Sequence, residues 1–404
     1  MKEGWEYSTI GDLCDKMNGL WKGKTGPFVN VGVIRNANFT KSFTLSFDNI
    51  EYLDVEAKQY KTRKLQKGDL IVEKSGGSEK QPVGRTVLFD KKEGEYSFSN
   101  FTSVLRIKDR STISPEFLYK YILFVYLRGD TRKMQKATTG IHNIEFDKFL
   151  SIPVPKISLS EQQSIVDYLD SAFAKIDAMK ANAEKALNEA KALFQASLKE
   201  MLEPKEGWEE KTLLVLTSKI GSGATPKGGR KVYIDEGCHL IRSMNVQYNK
   251  FKYEDLAHIT DEAAEQLKGV EIQENDVLFN ITGASIARCC VVPTDALPAR
   301  VNQHVSILRL KQDVLPRFLS YILNSPKHQR ELLGIGEAGS TRQALTKTDL
   351  ENHVICYPNI DSQTKLLCTL DSLKSKVDRL QENYDKISQE CDALKQAILR
   401  QVFE

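Results

Sequence analysis

The chain has 404 residues, of which 41% are hydrophobic and 27% charged, and its net charge of +3 permits nucleic-acid binding without arguing for it. Two to three domains are expected at this length, and any basic footprint must be local. No apolar run approaches the ~20 residues of a membrane helix, MKEGWEYSTI lacks a secretory apolar region, and the seven cysteines form no C-x-x-C pair. A cytoplasmic protein is predicted, with no membrane partner, no disulfide framework and no metal site.

In chain order, the first notable stretch is MNGLWKGKTG (17–26), which resembles a phosphate loop. That loop needs four residues between its first glycine and Gly-Lys-Thr, whereas Gly19 and Gly23 leave three. Asp12, Asp15 and Lys16 also interrupt the strand that should precede it. A nucleotide site is therefore not expected. Short apolar runs follow (VNVGVI, DLIVEK, TVLF, SVLRI) with turn signals between them, predicting a strand-rich α/β (α+β) domain over 1–158 that closes on the proline-marked strand at 152–155. Ser160 with Gln163 forms a capping-box start for a helix over 159–203, free of glycine and proline until Pro204. The same order returns: a domain over 204–359 (HLIRSM, DVLFNI, CVVP, VSILRL), then a helix over 360–404 with Asp361 as its N-cap.

The chain repeats itself. Glu3-Gly4-Trp5-Glu6 returns as Glu206-Gly207-Trp208-Glu209, KGDLIV (67–72) as ENDVLF (274–279), and Val83-Gly84-Arg85 as Ile286-Ala287-Arg288. Leu105-Arg106-Ile107 matches Leu308-Arg309-Leu310, and Gln162 with Asp177 matches Gln363 with Asp378. The two helices carry a heptad seam. On the second it runs through Leu370, Leu373, Val377, Leu380, Tyr384, Ile387, Cys391, Leu394 and Ile398; on the first, through Leu169, Ile176, Met179 and Leu193 with alanines between. A helix of roughly 43 residues is about 65 Å long. Since only Glu203-Pro204-Lys205 precedes the second domain, the seams meet only if the helices run antiparallel. The expected architecture is a pseudo-twofold dumbbell: tandem domains joined by an antiparallel coiled coil. Two like heads suit a partner with repeated geometry, and duplex DNA is the obvious case.

The tandem arrangement resembles the specificity subunit of type I restriction-modification systems (HsdS), and the resemblance covers the whole chain. It rests on the domain-opening Gly-Trp-Glu and on GSGATPKGG (221–229), VLFNITGASIARC (277–289), ARVNQHVSILRL (299–310) and EAGSTRQALTKTDL (337–350), with EQQSIVDYLD and DSQTKLLCTLD at the helix entries. The first domain departs from the pattern, with TTGIHNIEFDKF (138–149) in place of the GSTRQ segment. The resemblance implies a non-catalytic subunit that binds no cofactor and reads a bipartite, asymmetric double-stranded DNA site, one domain per half. The rod would set the spacer and dock two methyltransferase subunits, which bring S-adenosylmethionine; restriction subunits would bring ATP and magnesium. A related type IIB-like system would share this architecture, and a two-headed scaffold that ignores DNA is the remaining alternative.

Base reading needs Arg, Lys, Asn or Gln on exposed loops, and phosphate contact needs Lys, Arg, Ser or Thr. In the first domain the candidates are Lys22 and Lys24; Lys74, Ser75, Ser78 and Lys80; and Thr138, Thr139, His142 and Asn143. In the second they are Thr225, Lys227 and Arg230; Arg242; Asn280, Thr282 and Ser285; and Thr341, Arg342 and Gln343, beside Ser340. Between the shared motifs, Asn30, Arg35, Asn36, Asn38, Asn245 and Gln247 are further plausible readers. Gln303-His304 is expected to tie strand ends inside the domain, and Trp21 to pack on its own domain.

Overall fold

The computed structural model describes residues 4–404 except 22, 24, 80, 139–140 and 339–343, and the side chains at 138, 230 and 338 also fall outside the description. The chain divides into two compact units: residues 1–184 with 384–404, and residues 185–383. Each unit combines one repeat of the α/β domain with a stretch of both long helices.

In the first unit the central sheet has the order Cys14–Asn18, Thr102–Ile107, Leu70–Glu73, Thr86–Leu88, all antiparallel. A second sheet is built on Phe28–Ile34, antiparallel to Glu51–Glu56 and parallel to Tyr96–Phe98. The second unit has the same plan. Its central sheet runs Thr217–Ser222, Val305–Leu310, Val277–Asn280, Cys289–Val291, and Cys238–Ile241 is antiparallel to Ala257–Ile259 and parallel to Ala299–Val301. A two-stranded ribbon closes each domain, Glu6–Thr9 with Pro153–Lys156 and Glu209–Thr212 with Val354–Tyr357. The prolines at 153 and 155 are tolerated because that ribbon has free edges.

The motifs that repeat in the sequence are the ones that lock this frame. Asp69 is fully buried and takes a bidentate fork from Arg106, Nε to Oδ1 at 2.8 Å and Nη2 to Oδ2 at 2.7 Å. Asp276 and Arg309 make the same two bonds at the same distances. Each carboxylate also accepts the backbone N–H three residues before it, from Gln66 and Gln273, at 2.7 Å. A buried charge persists only when paired and hydrogen-bonded in this way, which explains an aspartate buried at the start of an apolar strand.

The long helices span Leu159–Met201 and Ile360–Phe403. Their caps differ from the expected ones. Ser158, not Ser160, opens the first helix, its hydroxyl and N–H bound to the Glu161 carboxylate. Asn359, not Asp361, opens the second, accepting from Ser362 N at 2.9 Å. Both positions follow directly on the closing strand, so the chain turns into helix as soon as its ribbon ends. Gln162 and Gln363 then fasten each helix to its domain: Gln162 Oε1 accepts from Ser114 N and its amide donates to Thr112 and Ile157 carbonyls, while Gln363 repeats this with Leu315, Asp313 and Pro358.

Within each unit the helices run antiparallel. In the first, Lys180 meets Asp392, Asp177 meets Lys395 and Ile176 meets Cys391; in the second, Lys191 meets Gln381. The domain cores take in both helices. Phe403 sits among Phe117, Tyr121 and Phe124 at ring separations of 5.9, 5.2 and 5.3 Å, and Phe194, Leu198, Leu202, Leu367 and Leu370 join the core of the second domain.

Most of the expected seam is observed, nine of its thirteen named residues being buried or half-buried. Leu169, Ile176, Leu370 and Cys391 are buried, with Leu373, Val377, Tyr384, Ile387 and Ile398 half-buried. At four positions burial is displaced by one residue: on the first helix Met179 is 59% and Leu193 64% exposed, whereas Leu187 and Phe194 are buried. Leu380 and Leu394 are likewise exposed, while Gln381 and Lys395 turn inward to half-burial. At those positions the order of three- and four-residue steps is inverted, while Leu373 and Ile387 keep the expected register. That choice buries the larger Leu187 and Phe194 in place of Ala186 and Leu193, and burial scales with apolar area.

Candidate nucleic-acid interface

Loops at one edge of each central sheet carry most of the described candidates. The opening loop is shaped by a glycine that admits no side chain. A Cβ on Gly19 would lie 1.8 Å from the Ser99 carbonyl oxygen, and one on Gly223 1.6 Å from that of Val301. MNGLWKGKTG and KIGSGATPKGG are therefore the same loop, and their glycines serve close approach of two backbones. Lys22 and Lys24, with Lys80, Thr139, Ser340, Thr341, Arg342 and Gln343, lie outside the described residues; Thr138 and Arg230 are described in their backbone alone.

In the first domain, Ser75–Gly77 pairs with Ile141–Ile144, which pairs with Gln135–Thr138. This sheet brings Ser75 against Asn143 and His142 opposite Gly77. Asn36 reaches the same point, donating to the Ser75 carbonyl at 2.6 Å. Lys74 is half-buried here, and desolvation together with nearby Lys16 holds its ammonium below the usual lysine range. Ser78 is exposed and caps the Gln81 N–H. Beside this cluster lies a groove of about 870 Å³ lined by Trp21, Arg35, Asn36, Leu53, Asn100 and Phe101. Trp21 is 62% exposed on it and does not pack into its own domain.

In the second domain, Thr225, Gln303, His304 and Thr282 form a polar chain, with contacts of 2.8 Å from Thr225 to Gln303, 3.0 Å from Gln303 to His304 and 2.6 Å from His304 to Thr282. Gln303 is exposed and His304 half-buried. The pair lies between the strands Ala299–Val301 and Val305–Leu310, and His304 ties their junction to the segment after Asn280, its carbonyl accepting from Ile281 N at 3.0 Å, but Gln303 is at the surface. Thr282, Ser285, Gln247, Arg288 and His304 line an open groove of about 490 Å³, and Lys227 is exposed.

Three expected readers are structural. Asn280 is fully buried, its amide donating to the carbonyls of Ser243 at 2.9 Å and Val246 at 3.3 Å. Asn38 and Asn245 are buried and fold the short turns before them, each accepting a backbone N–H from Arg35 or Arg242. A side chain so committed cannot reach a base edge. Arg242 is half-buried and bonded to the Asp255 carbonyl, and Arg35 is paired with Glu51. Several buried polar atoms without a hydrogen-bond partner belong to these loops: Nε of Arg35, Arg242 and Arg288, Oδ1 of Asn36 and Asn280, and Nδ1 of His142.

Arg288, which in the sequence stands out only as part of the repeat, also lines the groove of the second domain. The signal was present, since Arg85 and Arg288 match while the residues paired with them across the hairpin, Glu73 and Asn280, do not. Among the described residues one His/Glu group has metal-like spacing, His328, Glu331 and His353, with ligand atoms within 4.8 Å of one another. The two rings hydrogen-bond each other, Nδ1 to Nε2 at 2.8 Å. Burial, with His353 and Lys327 nearby, pushes the His328 pKa down to about 3, and burial lowers that of His353 too. Both rings are neutral near pH 7, and we read them as a packed pair.

The model of the family "Type I restriction modification DNA specificity domain" matches the chain twice, over residues 2–189 and 205–389. The chain belongs to this family. The two matches coincide with the two repeats. Its curated relatives are specificity subunits of type I restriction systems, which are non-catalytic, and this chain is a subunit of that kind. It is 22% identical to the EcoKI specificity subunit of Escherichia coli K12, over 100% of this chain and 89% of that protein. With the StySPI specificity subunit of Salmonella potsdam the identity and coverage are the same, 22% over 100% and 89%. With the EcoBI specificity subunit of Escherichia coli the identity is 26% over 62% of this chain and 57% of that one. A chain from work on complex assembly and conformational transition of the type I R-M system matches with a TM-score of 0.77 at 18% identity, covering 100% of this chain and 98% of its own. The HsdS subunit of Thermoanaerobacter tengcongensis matches at 0.57 and 18% identity, covering 100% and 97%. These likenesses show a shared fold. No helix among the described residues is long and apolar enough to cross a membrane.

Proposed function

We propose that this specificity subunit recognises an asymmetric, bipartite sequence in double-stranded DNA, each domain reading one half-site through the groove beside its central sheet. The observation that carries this is the contrast between a repeated frame and divergent grooves. The Asp69–Arg106 and Asp276–Arg309 forks are the same to a tenth of an ångström, while one groove is lined by Trp21, Leu53 and Phe101 and the other by Thr282, Arg288 and His304. Two like readers with unlike surfaces suit two unlike half-sites.

The paired helices would set the spacer and dock two methyltransferase subunits, which supply S-adenosylmethionine, while restriction subunits supply ATP and magnesium. The complex would act in the cytoplasm. The type I names of the relatives favour this over a type IIB-like system. The test is duplex binding by the complex with its methyltransferase subunits. Retention on random-sequence DNA should fall steeply with salt as counterions are released at each phosphate contact, and mapping of methylated sites should return a two-part motif. A scaffold indifferent to DNA would show neither. Deleting one heptad from each helix, within 162–202 and 363–403, should shorten the spacer and leave both half-sites unchanged.

A further inference from the structure

The two domains place an arginine at the same point of the same hairpin. In the first, Glu73 N donates to the Arg85 carbonyl at 2.7 Å and Gly84 N to the Glu73 carbonyl at 3.0 Å. In the second, Asn280 N donates to the Arg288 carbonyl at 2.9 Å and Ala287 N to the Asn280 carbonyl at 2.8 Å. Gly84 and Ala287 both hold a positive φ, 97° and 66°, so the backbone aims Arg85 and Arg288 alike.

Their partners differ. Arg85 is committed to the buried Glu73 carboxylate, Nε to Oε2 at 2.7 Å and Nη2 to Oε1 at 3.2 Å. An asparagine stands in that place in the second domain, and its amide is turned toward the Ser243 and Val246 carbonyls. Among the described residues, no carboxylate pairs with Arg288. Its Nη1 donates to Gln247 Oε1 at 2.9 Å, and Gln247 is itself held through its amide to the Met244 carbonyl at 2.9 Å. The guanidinium lies 5.3 Å from the Tyr248 ring centroid, its Nε is buried without a partner, and the side chain lines the groove with Thr282, Ser285 and His304. An arginine oriented by a neutral acceptor and a ring keeps its charge and part of its donor fork for a ligand.

Resting on the DNA-reading function proposed above, we infer that Arg288, positioned by Gln247, recognises a guanine in the half-site of the second domain. A fork of N–H donors on the O6 and N7 acceptors of guanine is the commonest specific contact in the major groove. Arg85, neutralised by Glu73, makes no such contact, so this guanine is specific to one half-site.

The experiment uses the complex with its methyltransferase subunits, carrying Arg288→Ala or Arg288→Lys, with methylated sites mapped and binding measured on duplexes varied at each half-site position. Both variants should relax one G·C position in one half, with about a 10- to 100-fold loss of discrimination there. The other half should stay unchanged, which also reports a folded subunit. Gln247→Ala should weaken discrimination at that same position while Arg288 still contributes binding. If Arg288→Lys keeps full discrimination and Arg288→Ala weakens all duplexes equally, the residue contacts phosphate and the inference is overturned. An unaltered motif in both variants overturns it as well. A wild-type complex that methylates no two-part motif is a separate result, one that overturns the DNA-reading function itself.

Discussion

The two domains share a frame and differ where the frame ends. Asp69 and Asp276 are both fully buried, both take an arginine fork and both accept the N–H three residues upstream. A few residues along the same strands, Glu73 and Asn280 occupy matching positions with opposite consequences: one neutralises an arginine, the other leaves it available. The neighbouring surfaces diverge similarly. In the first domain a third sheet holds Ser75 against Asn143; in the second, among the described residues, the matching loop bridges Thr282 to Ala344. Frame residues satisfy each other inside both domains, whereas the residues lining the grooves differ between them.

The strongest way to break the comparison is to strip one frame. Asp276→Ala leaves Arg309 unpaired and should cost about 3–5 kcal/mol, and Asp69→Ala should cost the same in the first domain; urea unfolding of each variant checks this. A marked inequality would show that the frames are not energetically equivalent. The helices give a smaller contrast. Leu187→Ala should cost about 2–5 kcal/mol, but Leu193→Ala no more than ~0.5 kcal/mol; the reverse order would restore the strict heptad expected from the sequence.

The last prediction separates the domains by acidity. His328 has a folded pKa of about 3, below the ordinary histidine value of 6.5, and that of His353 is lowered too. The unfolded chain therefore binds protons more readily than the folded one, and stability rises with pH through this window. Stability from this pair is fully present above about pH 6.5 and declines as the pH falls from there toward 3. Among the described residues the first domain has no buried histidine pair. Melting followed from pH 7.5 to 5 should weaken the second domain, and His328→Gln should flatten that dependence.

Much of the fold was legible because repetition is a property of the sequence alone. KGDLIV against ENDVLF, the Leu-Arg pairs at 105 and 308, and Gln162 against Gln363 each proved to mark a buried, hydrogen-bonded joint. The grooves were less legible, because residue type says what a side chain can bond and not what already bonds it. Asn280 has the right chemistry for adenine but is occupied by two carbonyls, and Gln303, flanked by apolar residues, is nonetheless exposed.

By itself the sequence determined that the chain is two copies of one unit, each an α/β domain followed by a long amphipathic helix, since periodicity and self-similarity need no coordinates. Only the tertiary structure decided which of two adjacent rows on each helix is buried, and which of two matching arginines is paired with a carboxylate. Both choices depend on partners distant in sequence: Leu187 is buried where Leu193 is not, and Arg288 is released because an amide across the hairpin points to another loop. Such competition for space and for hydrogen-bond partners is settled by packing.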